Sequence, residues 1–457
     1  MDKCKGCTTC LKRCPTEAIR IRNNRASILN ERCIDCGECI KVCANHAKVA
    51  VTDPLESIKR FKYPIALPAP TLYAQFQGVH QPEPIIASLF RLGFVDVFEV
   101  ARAAEIVSYA ISRAMREEDR PKPVISSACP AILRLIQVSF PALLDNVIDF
   151  VSPMEAAAKI AKEEYAQKHG VDKADVGVFF ITPCAAKMTA VKSPVGQEKS
   201  HVDGVIAIKD VYAQMRAAMK QGFSPLEIDR ASVVGIKWAI PGGEVEAVGI
   251  KSSLCVDGID NVINVLEAIE DARFRNLTYF EGLACVNGCL GGPLTVENSF
   301  VAKNRLRSVM NRTLQKTVQR REIFEDAVQT LRMTRPIEPS DALQLSGTMK
   351  ERIEREERIE RLTMGLPGLD CGSCGSPSCR ALAEDIVNGC ANELNCVFRL
   401  NDRINSLAAE MLTLGTSTRY TTGEDMARLR RLHDELSRSE PSEAPDGGAD
   451  DDGGDST

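Results

Sequence analysis

The chain has 457 residues, 44% hydrophobic and 26% charged, which is enough apolar material for two to four domains with real cores. Its eighteen cysteines fall mostly in Cys-x2-Cys groups, so they argue for metal or redox chemistry in a reducing compartment over a disulfide framework. The net charge of −5 is concentrated in Ser437–Thr457, which holds seven acids and one arginine. Nowhere else is there a basic block that would recommend nucleic acid.

No uncharged apolar run reaches about 18 residues, and Met1-Asp2-Lys3-Cys4-Lys5 does not open a signal peptide. The expectation is a soluble, cytoplasmic protein without a membrane span.

Residues 1–55 contain Cys4-x2-Cys7-x2-Cys10-x3-Cys14-Pro15 and then Cys33-x2-Cys36-x2-Cys39-x3-Cys43. Between them, Ile19–Ile21 and Ala26–Ile28 read as a hairpin turning at Asn23-Asn24. Zinc takes four ligands in pairs, so two identical four-cysteine runs at this spacing do not suit a zinc module. The pattern resembles a bacterial two-cluster ferredoxin. That resemblance implies two 4Fe-4S clusters whose fourth ligands cross over: Cys4, Cys7, Cys10 and Cys43 for one, and Cys33, Cys36, Cys39 and Cys14 for the other. Ala44 stands where a proline usually follows, which removes no ligand.

From 59 to 338 apolar strands alternate with amphipathic helices. Ile65–Leu67, Val97–Val100, Val124–Ile125, Val176–Ile181 and Val205–Ala207 read as buried strands, and Ala101–Met115, Met154–Ala166 and Ile259–Ala272 as helices. The alternation predicts an α/β domain with mainly parallel sheets, whose ligands sit at the carboxyl ends of strands. Cys129 and Cys184 each follow such a strand, and Cys285 and Cys289 come later in Ala-Cys-Val-Asn-Gly-Cys. Thiolates are soft ligands suited to iron-sulfur clusters, and four from three segments make a site that only the folded domain assembles.

Ser127-Ala128-Cys129-Pro130, Thr182-Pro183-Cys184-Ala185-Ala186-Lys187 and Ala284-Cys285-Val286-Asn287-Gly288-Cys289 together resemble the three ligand segments of the iron-iron hydrogenase family. Leu92–Phe98 and Pro241–Ala247 are supporting matches. The resemblance implies that Cys129, Cys184, Cys285 and Cys289 hold an active-site 4Fe-4S cubane and that Cys289 bridges it to a diiron subsite, the pair forming an H-cluster. It also implies that Lys187 donates to a cyanide of that subsite, a charge-assisted contact. Pro70 and Thr71 fall where the family has a proline and a hydroxyl residue facing the other cyanide, and they read equally well as an ordinary strand-end turn.

Departures from the family are as informative. Ala128 replaces a proton-shuttling cysteine, and a methyl group has no exchangeable proton. Thr182 and Leu283 replace methionines beside the subsite, and the helix after Phe98 lacks the paired glutamates of the usual relay. These losses resemble sensory-type members of the family. Glu244, Glu246 and Cys255 are candidates for another proton route, because a carboxylate in a partly buried cluster pocket has its pKa raised. Glu246 matches a family glutamate and Glu244 replaces an apolar residue; both also read as ordinary surface or structural carboxylates.

Residues 340–363 form a charged helix expected to be a solvated linker. Residues 364–398 contain Cys371-x2-Cys374-x4-Cys379, a helix over 380–388, and then Cys390 and Cys396. They resemble a small 4Fe-4S domain of electron-transfer proteins, with Cys396 favoured over Cys390 as fourth ligand. Residues 399–436 show two apolar stripes, read as helices broken near 415–418 that could dock a partner or make a dimer. Residues 437–457 are an acidic tail with almost nothing to bury, expected to be disordered.

The fold expectation is therefore a multidomain α/β protein: a ferredoxin-like two-cluster module, a hydrogenase-like domain and a small C-terminal 4Fe-4S domain with helices. The resemblance implies an H2-sensing or low-activity hydrogenase, an oxidoreductase wired by three accessory 4Fe-4S clusters. Its partners would be H2, protons, an electron carrier such as ferredoxin or a signalling protein, and maturation proteins if a diiron unit is inserted. The alternative is a non-catalytic electron-transfer or cluster-assembly scaffold without that unit.

Overall fold

The computed structural model describes residues 3–222, 230–313, 328–343 and 347–417, with a few positions between 423 and 431. The chain divides into two units, Met1–Leu345 and Ser346–Thr457.

In the first unit, β1 (Ile19–Arg22) and β2 (Arg25–Ile28) form an antiparallel hairpin with Ile19 opposite Ile28. Asn23 and Asn24 both have positive φ, 49° and 60°, as a two-residue turn matching the strand twist requires.

The middle of the chain is built on two parallel sheets. Its strands are β3 (Tyr63–Pro68), β4 (Asp96–Val97), β5 (Val124–Ile125), β6 (Val176–Thr182), β7 (Gly204–Ala207), β8 (Ser253–Asp257) and β9 (Tyr279–Leu283). One sheet has the order β4-β3-β6-β7 and the other β5-β9-β8, with every neighbouring pair parallel. The expected strand at 97–100 is short, because the helix Val100–Glu117 begins at its last residue.

The first sheet is apolar on both faces, as a strand covered by helices on each side must be. Ile65, Leu67, Val178 and Phe180 enter one core with the helices Val100–Glu117 and Pro153–His169. Ala66, Phe179 and Ile181 enter the other, with Glu83–Arg91 and Ile208–Met219. The alternation follows the two-residue period of a strand. Phe179 is fully buried, and truncating it to alanine would cost about 3–5 kcal/mol.

Parallel strands all end on the same side, and here that places the chemistry. The segment after β3 brings Pro70 and Thr71, that after β5 Ala128 and Cys129, that after β6 Cys184 and Lys187, and that after β9 Cys285 and Cys289. No helix among the described residues is long and apolar enough to cross a membrane.

In the second unit the helix Met349–Met364 starts with a capping box between Thr348 and Glu351. It was expected to be a solvated linker, but it packs along the helix Cys379–Val387. Ile359 is 1% exposed, and Glu356 pairs with Arg380 at 2.5 Å. One apolar residue in a polar helix is enough to seat it when its neighbours pair across the contact. A helix over Val397–Ser417 covers the first apolar stripe. The apolar residues of the second stripe, Met426, Leu429, Leu432 and Leu436, and the acidic tail lie outside the described residues.

Candidate metal centre

The four strand-end segments surround a cavity of about 110 Å³ whose lining includes Cys129, Cys184, Cys285 and Cys289 together with Lys187. Cys285 is buried, whereas Cys289 is accessible from within the cavity although protein surrounds it. Burial first, and then the neighbouring thiols Cys184 and Cys129, push the Cys289 thiol far up. Burial pushes Cys285 up to about 12. A thiol so placed stays protonated until a metal supplies positive charge, so metal binding here releases protons. Among the described residues no three His, Cys, Asp or Glu side chains converge as a single ion needs. The four sulfurs stand around a cavity instead, an arrangement that suits a cluster.

Two further features fit an anion-bearing group in the cavity. Lys187 donates from Nζ to the Ala128 carbonyl at 3.2 Å, across the cavity rim. Thr71 lines the wall, fully buried, and its Oγ1 has no hydrogen-bond partner among the described residues. An orphaned buried hydroxyl costs about 1–3 kcal/mol, and a ligand with an acceptor would remove that cost. Pro70 lines the same wall and opens the short helix Pro70–Ala74 that carries Thr71.

The carboxylates separate sharply. Glu244 is 2% exposed and lines the cavity. It accepts from Ser126 Oγ at 2.8 Å and from Tyr279 Oη at 2.6 Å. Glu246, two residues on, has a side chain 65% exposed and is paired with Lys237 at 2.5 Å. Residues two apart on a helix point to nearly opposite sides, so Glu246 does not reach the cavity, whereas Glu244 lines it. Glu281 on β9 is the partner that sequence reading missed. It is buried at the cavity wall and accepts from the backbone N–H groups of Gly242 and Val245 at 3.2 and 3.0 Å. Burial, followed by Glu281's charge, raises the Glu244 carboxyl, and burial likewise raises Glu281. Cys255 on β8 is the cross-strand partner of Glu281, and burial ahead of that carboxylate raises its thiol.

Thr182 also sits differently from expectation. It is fully buried, and its Oγ1 accepts the Cys184 N–H at 3.0 Å. It shapes the turn that presents Cys184 and does not line the cavity, whereas Leu283 does. Ala128 lines it too, and presents only its methyl and backbone.

The structure groups the N-terminal cysteines by neighbourhood. After burial and Lys48, the Cys10 thiol responds to Cys7, Cys4 and Cys43. Burial pushes Cys33 up to about 12, with Asp35, Cys14 and Cys39 as its charged neighbours. Cys14, Cys33, Cys36 and Cys39 line a second cavity of about 400 Å³. In the second unit, Cys371, Cys374, Cys379 and Cys396 line one small cavity. Asp370 prepares that loop by accepting the Cys379 N–H at 2.6 Å. Cys390 lies outside this group and is exposed, 3.7 Å from the Asn388 carbonyl.

Comparison with known proteins gives the site its context. Residues 62–249 match the family described as "Iron only hydrogenase large subunit, C-terminal domain", residues 1–44 a 4Fe-4S dicluster domain, and residues 366–398 an Fe-S cluster family. The chain is 24% identical over 369 residues to NADP-reducing hydrogenase subunit HndD of Solidesulfovibrio fructosivorans, covering 64% of this chain and 63% of that one. It is 28% identical over 182 residues to Iron hydrogenase 1 of Clostridium pasteurianum, covering 37% and 32%. It is 24% identical over 142 residues to a cytosolic Fe-S cluster assembly factor NAR1 homolog of Schizosaccharomyces japonicus, covering 31% and 27%. The chain thus spans less than two thirds of the length of each of these curated relatives. Residues 62–249 carry the likeness to the iron-only hydrogenase large subunit, flanked by two segments that match iron-sulfur cluster families.

Proposed function

We propose that this protein senses H2 or turns it over slowly, at a cubane held by Cys129, Cys184, Cys285 and Cys289 and joined through Cys289 to a diiron unit. Three accessory 4Fe-4S clusters exchange electrons with a ferredoxin-like carrier or a signalling partner. The observation that carries this reading is a single cavity where four thiols, a lysine and a hydroxyl without a partner among the described residues meet.

When bound, the diiron group supplies the metal chemistry that splits or forms H2. The chain's own residues then have separable tasks. Lys187 presents a fixed positive charge to an anionic ligand, and Thr71 offers the one hydrogen bond it otherwise lacks. Phe180, Leu283 and Trp238 wall the cavity with apolar surface, which keeps water out and strengthens both contacts. With Ala128 unable to move a proton, the route runs through Glu244 and Glu281 at the wall, with Cys255 behind Glu281. Carboxyls whose pKa is raised hold a proton near neutrality and can give it up, as a relay group must.

A second reading is a non-catalytic scaffold that keeps the cubane alone. The likeness to a cluster assembly factor over 142 residues and the loss of the shuttle at Ala128 favour it. Infrared spectroscopy of protein matured with the diiron cofactor separates the two readings. Carbonyl and cyanide stretching bands are expected from the hydrogenase reading. Full cubane content without those bands would sink it in favour of the scaffold.

A further inference from the structure

Gln75 is buried, 1% exposed, immediately after the short helix Pro70–Ala74, and its side chain hydrogen-bonds backbone groups of two segments far apart in sequence. Nε2 donates to the Thr71 carbonyl at 3.2 Å, and Oε1 accepts from the N–H groups of Val296 and Glu297 at 2.9 and 3.0 Å. The partners fix which end of the amide is which, since a carbonyl only accepts and an N–H only donates. An apolar side chain at this position could meet none of the three groups.

The Val296 end leads back to Cys289. The Gly292 N–H donates to the Cys289 carbonyl at 3.2 Å, and Thr295 donates to the Gly292 carbonyl from its N–H at 3.3 Å and from Oγ1 at 2.8 Å. The Leu294 N–H donates to the Pro183 carbonyl at 3.0 Å, and a Cβ on Gly292 would stand 2.2 Å from that same oxygen. This segment is therefore pressed against the one that presents Cys184. The Thr71 end has a hold of its own. Tyr73, fully buried, donates from Oη to Glu99 Oε2 at 2.6 Å, and Glu99 also accepts from Arg230 Nε at 2.6 Å. Hydrogen bonds to an ionised acceptor are about twice as strong as neutral ones, so the helix carrying Thr71 is anchored independently of Gln75. Gln75 joins these two held pieces, and Thr71 from one and Cys289 from the other line the same cavity.

We propose that Gln75 is a positioning residue that sets the span between the Thr71 hydroxyl and the Cys289 sulfur. The inference rests on the reading of the cavity as the seat of a cubane joined to a diiron unit. On that reading the sulfur carries the unit and the hydroxyl meets one of its anionic ligands, so the span decides whether that hydrogen bond forms. A hydrogen bond weakens steeply once its geometry leaves the preferred range, and a site of this kind has to be held to within about 0.5 Å. A continuous thread of hydrogen bonds from the Cys289 carbonyl to the Thr71 carbonyl, closed by one buried amide, supplies that hold.

The test is infrared spectroscopy of the full chain matured with the diiron cofactor, with iron content measured alongside. Thr71→Val removes the hydroxyl and keeps the shape of the side chain, so the cyanide band that it moves is the one that reports on Thr71. Gln75→Met, with its three hydrogen bonds removed, should move that same band in the same direction and leave iron content at the parent value. In the Thr71→Val background it should add no further shift, as expected of two residues acting through one contact. If Gln75→Met loses iron, Gln75→Asn is measured in its place, since it keeps the amide on a side chain too short to reach both segments. An unmoved band in the iron-replete variant overturns the role of Gln75, and so does a shift that persists in full in the Thr71→Val background. If Thr71→Val itself moves no band while carbonyl and cyanide bands are present, the hydroxyl meets no ligand and the proposal falls with it. Absence of every such band marks failure of the diiron reading, a result distinct from any shift.

Discussion

Replacing Glu244 with glutamine tests the proton route with little disturbance to the wall. The amide keeps the side chain's size and one acceptor oxygen for the hydroxyls of Ser126 and Tyr279, which now approach at 2.8 and 2.6 Å. What disappears is the titratable proton. A positioned acid or base contributes about 10²–10⁴-fold, so the barrier should rise by about 2.7–5.4 kcal/mol. Loss of one hydrogen bond to a charged group costs only about 1.5–3 kcal/mol and acts on stability before rate. The assay is turnover of cofactor-loaded protein across pH, with Glu246→Gln as the control because that side chain is exposed and paired with Lys237. Stability carries a second signature. Burial, then Glu281, raises the folded Glu244 carboxyl above its unfolded value, so its contribution is fully present below the ordinary carboxylate range and is lost as pH rises through the raised value. The slope is about 1.36 kcal/mol per pH unit for one proton, and Glu244→Gln should flatten it in anaerobic thermal denaturation. Turnover within about threefold of the parent, with an unchanged pH profile, would refute the relay.

Two other outcomes follow from the same geometry. Cys396→Ser should lower iron content by one cluster while the middle of the chain stays assembled, and Cys390→Ser should leave iron unchanged; iron analysis with EPR decides, and the reverse pattern would show the ligand assignment to be mistaken. Ala128→Cys places a thiol in the cavity beside the Ser126–Glu244 pair and should raise turnover if proton delivery limits it. No increase, together with an unaffected Glu244→Gln, would move the slow step to the altered wall at Leu283.

What could be read in the sequence was whatever depends on local spacing. The cysteine runs declare themselves because ligand spacing is a short-range property, and β3 and β6 do so because strands buried on both faces read as apolar runs. Strands β8 and β9 were missed for a physical reason. Ser253, Cys255 and Asp257 interrupt the apolar signal in β8, and Glu281 interrupts it in β9. That charge in an otherwise apolar strand, four residues before Cys285, was the available sign of a carboxylate at the cavity wall. The choice between Glu244 and Glu246 depends on which face of the helix Gly243–Val248 meets the cavity. That is settled by the Tyr279 and Ser126 hydroxyls, from strands and loops far away in sequence.

The buried carboxylates also bear on whether the pocket is catalytic or merely structural. A scaffold that only holds a cubane needs four thiolates and a tight wall, and apolar side chains would build that wall at no electrostatic cost. Glu244 and Glu281 instead bring two mutually repelling acids into a buried space, which opposes their ionisation and leaves at least one proton stored between them near neutrality. Glu281 alone could be explained by its two backbone donors, which hold the turn at Gly242 and Val245 in place. Glu244 has no such duty to the backbone among its hydrogen bonds, which go to two hydroxyls that a neutral side chain could also satisfy. On the proposed reading its carboxyl is a proton reservoir at the cavity wall, close to Ala128, whose methyl group has no exchangeable proton. An inert methyl beside a buried acid is the pairing on which the proposal of slow chemistry over a silent scaffold rests.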